Sequence, residues 1–200
     1  MKTIVGFLSR PHGLNVLQEL IKSTNYSVIK VYTHSRNPKS QDPKRSIRPD
    51  FSIFEKICKE NKISLISVDS KNQEISNVPN SDFILEVSWR YLIKENVTKK
   101  PKIASFGIHR GKLPDYAGAE PIKQALLNNE KEIILSAHFL DPQIDAGGTI
   151  SILSHPVNYD NNASLEENIQ RLRDEITPLF SKLTFQTLKK LENTNPKKNS

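Results

Sequence analysis

Cysteine is nearly absent from this chain of 200 residues: Cys58 stands alone, which excludes an internal disulfide. No cluster of Cys and His has the spacing of a structural zinc site, so no metal is expected. Long apolar runs are missing too. The longest, residues 63–68 and 83–87, fall far short of the roughly 20 residues a membrane helix needs. The first apolar stretch breaks at Ser9-Arg10-Pro11; it is short for a secretory leader and reads as a first strand. These absences make the cytoplasm the expected compartment, with no membrane partner. There is also no RNP-like aromatic motif and no recognition-helix signature. The net charge of +7 is therefore read against nucleic acid and toward a small anionic substrate. Its lysines gather at Lys99, Lys100 and Lys102 and in the tail at Lys189, Lys190, Lys197 and Lys198.

What is present is a soluble globular composition, 36% hydrophobic and 26% charged, long enough to bury a core without staples. Apolar periodicity alternates between strand and helix, which favours an α/β sheet with helices on its faces. Strands are expected at 2–8, 27–33, 64–68, 82–87, 102–108, 133–140 and 149–153. A helix with Val16, Leu17, Leu20 and Ile21 inward follows the first loop. A polar, basic loop with three prolines spans 34–49 and ends in Arg45 and Arg48. The next helix turns Phe51, Phe54, Ile57 and Cys58 inward. Pro121 suits the first turn of a further helix. Ser164 and Glu167 form a capping box that opens the last one, running to about residue 191. Thr177-Pro178 predicts a kink or a break in it. We expect one domain over 1–192 and a frayed tail over 193–200.

The chemistry concentrates in two residues. His109 ends a short apolar strand, and Asp145 sits in the turn Asp-Pro-Gln-Ile-Asp-Ala-Gly-Gly. An imidazole and a carboxylate brought together from two strand ends form an acid/base couple for acyl transfer. Such a couple wants a neutral amide donor beside it for the developing oxyanion. Two residues before His109, on the same strand face, stands Gly107. Plainer readings exist for each residue. Asp145 suits a turn, Gly107 a close-packed strand, Trp89 a core or pocket wall, and Pro114 and Gly118 the shaping of backbone. His34 and His155 read as solvated, and Arg45 and Arg48 as a solvated loop face or as phosphate ligands.

The run Phe106-Gly107-Ile108-His109-Arg110-Gly111-Lys112-Leu113-Pro114-Asp115-Tyr116-Ala117-Gly118, followed by Ser136-Ala137-His138 and the turn at Asp145, resembles the folate-dependent formyltransferases. That family includes glycinamide ribonucleotide, methionyl-tRNA and nucleotide-sugar formyltransferases. Its pattern is Asn-x-His, Leu-Pro-x-Tyr/Phe-x-Gly, a strand with His, then Asp-x-Gly. The resemblance implies a Rossmann-like, mostly parallel sheet with helices on both faces and a C-terminal helix. It implies transfer of a formyl group from 10-formyltetrahydrofolate to the primary amine of a small, phosphorylated or nucleotide-linked acceptor. His109 would shuttle the proton, and Asp145 would orient it or order a water. Ser88, Trp89, Arg90, Tyr91 and Leu92 would hold the pterin, together with His138, Leu140, Asp141 and Ile144. Ser9, Arg10, His12, Gly13 and Arg110 would hold the acceptor's anionic part. The family's asparagine is Gly107 here, and losing one oxyanion donor costs about 100- to 1000-fold in turnover. Ser105, Ser136, His138 or a water are the substitutes to consider. Two other readings follow from Gly107: a catalytically degenerate folate- or nucleotide-binding homologue, and a transferase of another one-carbon or acyl group. Methionyl-tRNA is disfavoured as acceptor because those enzymes carry a further C-terminal barrel. Acceptor identity and oligomeric state stay open.

Overall fold

The computed structural model describes residues 1–143 and 145–194. Twelve elements follow in chain order. They are β1 (Lys2–Leu8), α1 (Arg10–Ile21), β2 (Tyr26–Thr33), α2 (Phe51–Glu60), β3 (Ser64–Ser67), β4 (Phe83–Val87), α3 (Glu95–Thr98), β5 (Ala104–His109), α4 (Pro121–Leu127), β6 (Glu132–Phe139), β7 (Thr149–Pro156) and α5 (Leu165–Thr194). The strands make a seven-stranded sheet in the order β3-β2-β1-β4-β5-β6-β7. Pairings β1–β2, β1–β4 and β2–β3 are parallel, while β5–β6 and β6–β7 are antiparallel. This is the α/β architecture expected from the alternating pattern, in the mostly parallel, Rossmann-like form that the resemblance implies.

The chain divides into two compact units, Met1–Ser105 and Phe106–Ser200. In the first, β1 and β4 are almost wholly buried. Ile4, Val5, Phe7 and Leu8 join Phe83, Ile84, Leu85 and Val87 in its core, with Val16, Leu17 and Leu20 of α1 also buried. Near-continuous apolar runs are what a parallel strand covered on both faces requires. Each such side chain contributes about 1.5–3 kcal/mol on burial. In α2 only Phe54 and Cys58 are buried; Phe51 and Ile57 are half-buried.

In the second unit the core holds Phe106 and Ile108 of β5, Leu135 and Ala137 of β6, and Ile169, Leu172, Ile176, Phe180, Leu183 and Leu188 of α5. Of the kink or break expected at Pro178, the break does not occur: α5 is a single helical run of 30 residues through it. A proline removes one backbone hydrogen bond, but the buried stripe from Ile176 to Phe180 continues in register across it. Local hydroxyls also bond back to the helix, Thr177 Oγ1 to Arg173 O and Ser181 Oγ to Pro178 O. The capping box forms as expected, with Ser164 N–H donating to Glu167 Oε2 at 2.7 Å and Glu167 N–H to Ser164 Oγ at 3.2 Å. The helix includes Asn193 and Thr194; the remainder of the expected tail, 195–200, lies outside the described residues. The short α3 carries too few residues for a periodic signal. Among the described residues no helix is long and apolar enough to cross a membrane.

Candidate active site

The antiparallel register of β5 and β6 places the key residues. Gly107 lies opposite His138, and His109 opposite Ser136. Opposed residues in such a ladder share a face, so both histidines and the side-chain-free position at 107 lie on one surface of the strand pair.

His109 has an acceptor at each ring nitrogen. Nε2 lies 2.7 Å from Tyr116 O; a carbonyl oxygen only accepts, so Nε2 carries the proton in this contact. Nδ1 faces Asp145 Oδ2 across 3.3 Å, longer than a charge-assisted bond. The same carboxylate oxygen accepts the Gly118 N–H at 3.0 Å. Its other oxygen, Oδ1, lies 3.5 Å from His138 Nε2. His138 Nδ1 donates to Phe139 O at 3.0 Å, which leaves Nε2 as a lone pair. That nitrogen is buried and has no hydrogen-bond partner among the described residues. Burial holds the His138 pKa below the usual histidine range, against the opposing pull of the Asp145 charge. The described geometry thus gathers two imidazoles around one mostly buried carboxylate, with gaps of 3.3 and 3.5 Å.

Backbone shape sets this cluster. Asp145 has φ +53°, a left-handed conformation that Asp tolerates better than most residues. Gly147 has no alternative: a Cβ there would stand 1.8 Å from Phe139 O. Gly111, which sequence reasoning passed over, is as constrained. Its Cβ would meet Tyr116 O at 2.7 Å and His109 Nε2 at 2.9 Å, the two atoms of the bond just described. The signal was present only as a glycine two residues past a candidate histidine. Tyr116 was also missed as a partner, because its contribution to His109 is made by backbone. Leu140 is half-buried and Asp141 exposed in the turn leading to Asp145; Ile144 lies outside the described residues. Arg110 is half-buried and lines a small hollow with Gly111, Tyr116 and Glu130. Of the substitutes for the missing asparagine, two have hydroxyl protons already committed. Ser105 Oγ donates to Thr98 O at 2.5 Å, and Ser136 Oγ to Gly111 O at 2.8 Å.

The first unit holds the other candidate residues. Ser9 N–H donates to Val87 O at 3.0 Å, which joins the ends of β1 and β4 and sets the start of α1 beside residue 88. There His12 Nδ1 lies 3.4 Å from Ser88 Oγ. Gly13 packs tightly on β1, since a Cβ would meet the Leu8 backbone at 3.0 Å. Arg10 has φ +62° and donates to Gln41 Oε1 at 2.8 Å. In the segment 88–92, two backbone donors are engaged by protein: Trp89 N–H by Glu86 Oε1 at 2.7 Å and Arg90 N–H by His34 Nε2 at 3.1 Å. Tyr91 Oη donates to Asp69 O at 2.9 Å, and Leu92 is exposed. Trp89 stacks on His34, with centroids 4.1 Å apart, and its Nε1 is buried with no hydrogen-bond partner among the described residues.

Two expectations are corrected here. His34 is not solvated: it is 1% exposed, bonded to Val68 O through Nδ1, and burial pushes its pKa down to about 4. Arg48 is not a solvated loop residue but buried, chelated by Asp50 at 2.7 and 2.9 Å and donating to Ser9 Oγ. His155 keeps the solvent-facing place expected of it, paired with Glu175 at 2.8 Å in an exposed contact. Arg45 is also tied inward, donating to Asp69 O at 2.5 Å. In each case the partner lies 2 to 39 residues away in the chain, and most of these partners are beyond the reach of local patterning.

Comparison with known proteins bears on both clusters. The family model described as formyl transferase matches residues 2–182. A methionyl-tRNA formyltransferase of Mycoplasmopsis pulmonis is 30% identical over 154 residues, covering 74% of this chain and 50% of that protein. One from Flavobacterium johnsoniae is 28% identical over 199 residues, covering 97% of this chain and 59% of that protein. The chain thus spans between half and three-fifths of the length of these curated relatives. Among solved structures, glycinamide ribonucleotide transformylase 1 from Symbiobacterium toebii superposes with TM-score 0.65 at 16% identity, over 91% of this chain and 85% of that one. The sugar 3N-formyl transferase WlaRD does so with TM-score 0.60 at 24% identity, over 96% and 64%. At these identities the structures speak for the fold.

Proposed function

We propose a function from one premise: this chain belongs to the formyl transferase family. It transfers a formyl group from 10-formyltetrahydrofolate to a primary amine. The observation that carries this reading is the meeting of His109, Asp145 and His138 within 3.5 Å on one surface of the strand pair. In the proposed reaction the amine nitrogen attacks the formyl carbon and gives up a proton; the carbon–nitrogen bond to tetrahydrofolate then breaks, and the departing nitrogen takes up that proton. Asp145, facing both imidazoles, stabilises the positive charge that appears when either ring takes the amine's proton. The loose Nδ1 side of His109 is the place where an amine or a water can enter. The segment 88–92 would take the pterin through its carbonyl groups and Trp89 Nε1, since the N–H groups of Trp89 and Arg90 are already used. Ser9, His12 and Gly13, at the start of α1, would take an anionic part of the acceptor.

The acceptor we propose is a small phosphorylated or nucleotide-linked amine. Methionyl-tRNA is a second reading, favoured because the relatives at 28–30% identity are methionyl-tRNA formyltransferases. Single-turnover assays with a panel of amino sugars, glycinamide ribonucleotide and charged tRNA separate them. Gly107→Asn tests the chemistry itself, because it returns an amide beside His138. A rise toward the roughly 100- to 1000-fold that one oxyanion donor supplies supports a formyltransferase impaired at that step. Folate binding with no transfer, before and after Gly107→Asn, would leave a degenerate folate-binding homologue instead.

A further inference from the structure

We propose that Tyr116 and Glu130 are a remote positioning pair for His109, acting through the Tyr116 backbone. The inference rests on the reading of His109 as the group that moves the proton. The Tyr116 carbonyl oxygen that receives His109 Nε2–H at 2.7 Å belongs to a loop fastened at both ends of the tyrosine. On the side-chain end, Tyr116 Oη donates to Glu130 Oε1 at 2.6 Å and accepts from Asn128 Nδ2 at 3.2 Å. On the backbone end, Tyr116 N–H donates to Lys112 O at 2.7 Å, and the Gly118 N–H reaches Asp145 Oδ2 at 3.0 Å. Gly111 lacks the Cβ that would fall within 3 Å of both Tyr116 O and His109 Nε2.

The consequence concerns which nitrogen of His109 reacts. Asp145 lies 3.3 Å from Nδ1, too far to fix the ring by itself, whereas the 2.7 Å contact at Nε2 is short and made to an acceptor that cannot donate. The carbonyl therefore plays the part that a buried carboxylate plays for the histidine of a serine hydrolase: it selects the tautomer and the ring orientation. Nδ1 is left as the working nitrogen, turned toward Asp145. Holding that carbonyl in place requires the tyrosine ring to stay seated, and Glu130 and Asn128, at and beyond the end of α4, seat it. The Tyr116 pKa is raised, chiefly by the hydrogen bond to Glu130, in keeping with a neutral phenol as the donor. Glu130 touches neither His109 nor Asp145 in any contact described, so its effect on chemistry passes through the loop.

The test uses the full chain with Tyr116→Phe, Glu130→Ala, Glu130→Gln and the Tyr116→Phe/Glu130→Ala double variant, each checked for a cooperative melt. Two readouts are taken. Imidazole 15N NMR reports the His109 tautomer and its titration, and single-turnover transfer from 10-formyltetrahydrofolate separates kcat from KM. Tyr116→Phe and Glu130→Ala should each lower kcat roughly 10- to 100-fold, as expected for a catalytic group displaced by a fraction of an ångström to an ångström, with KM within about twofold. Both should move the His109 tautomer away from Nε2–H. Glu130→Gln, which keeps an acceptor oxygen, should stay close to the parent, and the double variant should be no worse than either single. Folded variants that keep the parent's His109 spectrum and its kcat would overturn the proposal. A parent that transfers no formyl group defeats the catalytic reading alone, and the NMR arm then decides whether the pair sets the tautomer.

Discussion

Two histidine environments in this molecule differ in how completely their nitrogens are answered. In the first unit His34 is closed: Nδ1–H goes to Val68 O, Nε2 accepts from Arg90 N–H, and Trp89 lies flat against the ring. In the second, His109 and His138 share Asp145 across 3.3 and 3.5 Å, and His138 Nε2 is buried with no hydrogen-bond partner among the described residues. Burial alone does not separate the two, since His34 and His138 are both almost wholly inaccessible. What separates them is residual capacity. A ring whose hydrogen bonds are all made to backbone can only hold structure, and His34 holds the segment 88–92 against the loop at 34–36. A ring facing a carboxylate across a loose gap can still exchange a proton or admit a third group.

The comparison breaks most visibly if the second cluster does no chemistry. His109→Ala should lower single-turnover formyl transfer by about 100- to 10,000-fold, the usual worth of a positioned proton carrier, while His34→Gln should retain kcat within the same order. Equal losses in the two variants would erase the distinction. The acid side of the stability curve sharpens it next. His34 has a folded-state pKa of about 4 against an ordinary 6.5, so the unfolded chain binds the extra proton between those values. Stability is therefore full above the unfolded value and is lost as pH falls from about 6.5 to about 4, by about 3 kcal/mol in all. Urea midpoints measured across that range should show this slope in the parent and a shallower one in His34→Gln. The depressed His138 adds to the slope that remains, as do the lowered carboxyls of Asp69, Asp82 and Glu175 toward its acid end.

Smaller effects mark the edges of the two regions. Gly147→Ala would drive a Cβ into Phe139 O at 1.8 Å. It should destabilise by about 1–3 kcal/mol, as overpacking does, and displace Asp145 enough to lower transfer as well. A variant with parental melting and parental activity would show that the turn is not tied to β6 as described. Ser164→Ala removes one half of the α5 capping box and should cost about 1 kcal/mol in thermal unfolding with no change in transfer. It calibrates what a purely structural change looks like in this protein.

Much of this was legible along the chain, for particular reasons. The strands at β1 and β4 announce themselves as short runs of branched and aromatic residues, and the α5 cap as Ser164 with Glu167 three residues on. The pairing of His109 with Asp145 could be anticipated because each stands at or just beyond a strand end, flanked by residues that force a turn. Other features left no local trace. His34 sits in a basic, proline-rich stretch that reads as solvent, yet its partners Val68 and Arg90 are 34 and 56 residues away. Arg48 looks like one more loop cation, but it is neutralised by Asp50 and capped by Ser9, 39 residues earlier.

Residue identity and spacing by themselves settled the alternation of strand and helix, the short apolar runs, the helix cap and the family pattern around His109, because each depends on neighbours within a few positions. The tertiary structure alone decided which histidine closes on backbone and which faces a carboxylate, and that a tyrosine carbonyl, not Asp145, makes the shorter contact with His109. Those outcomes depend on where distant strand ends meet and on whether a Cβ is present at 111 and 147, and proximity of that kind is created only when the chain has packed.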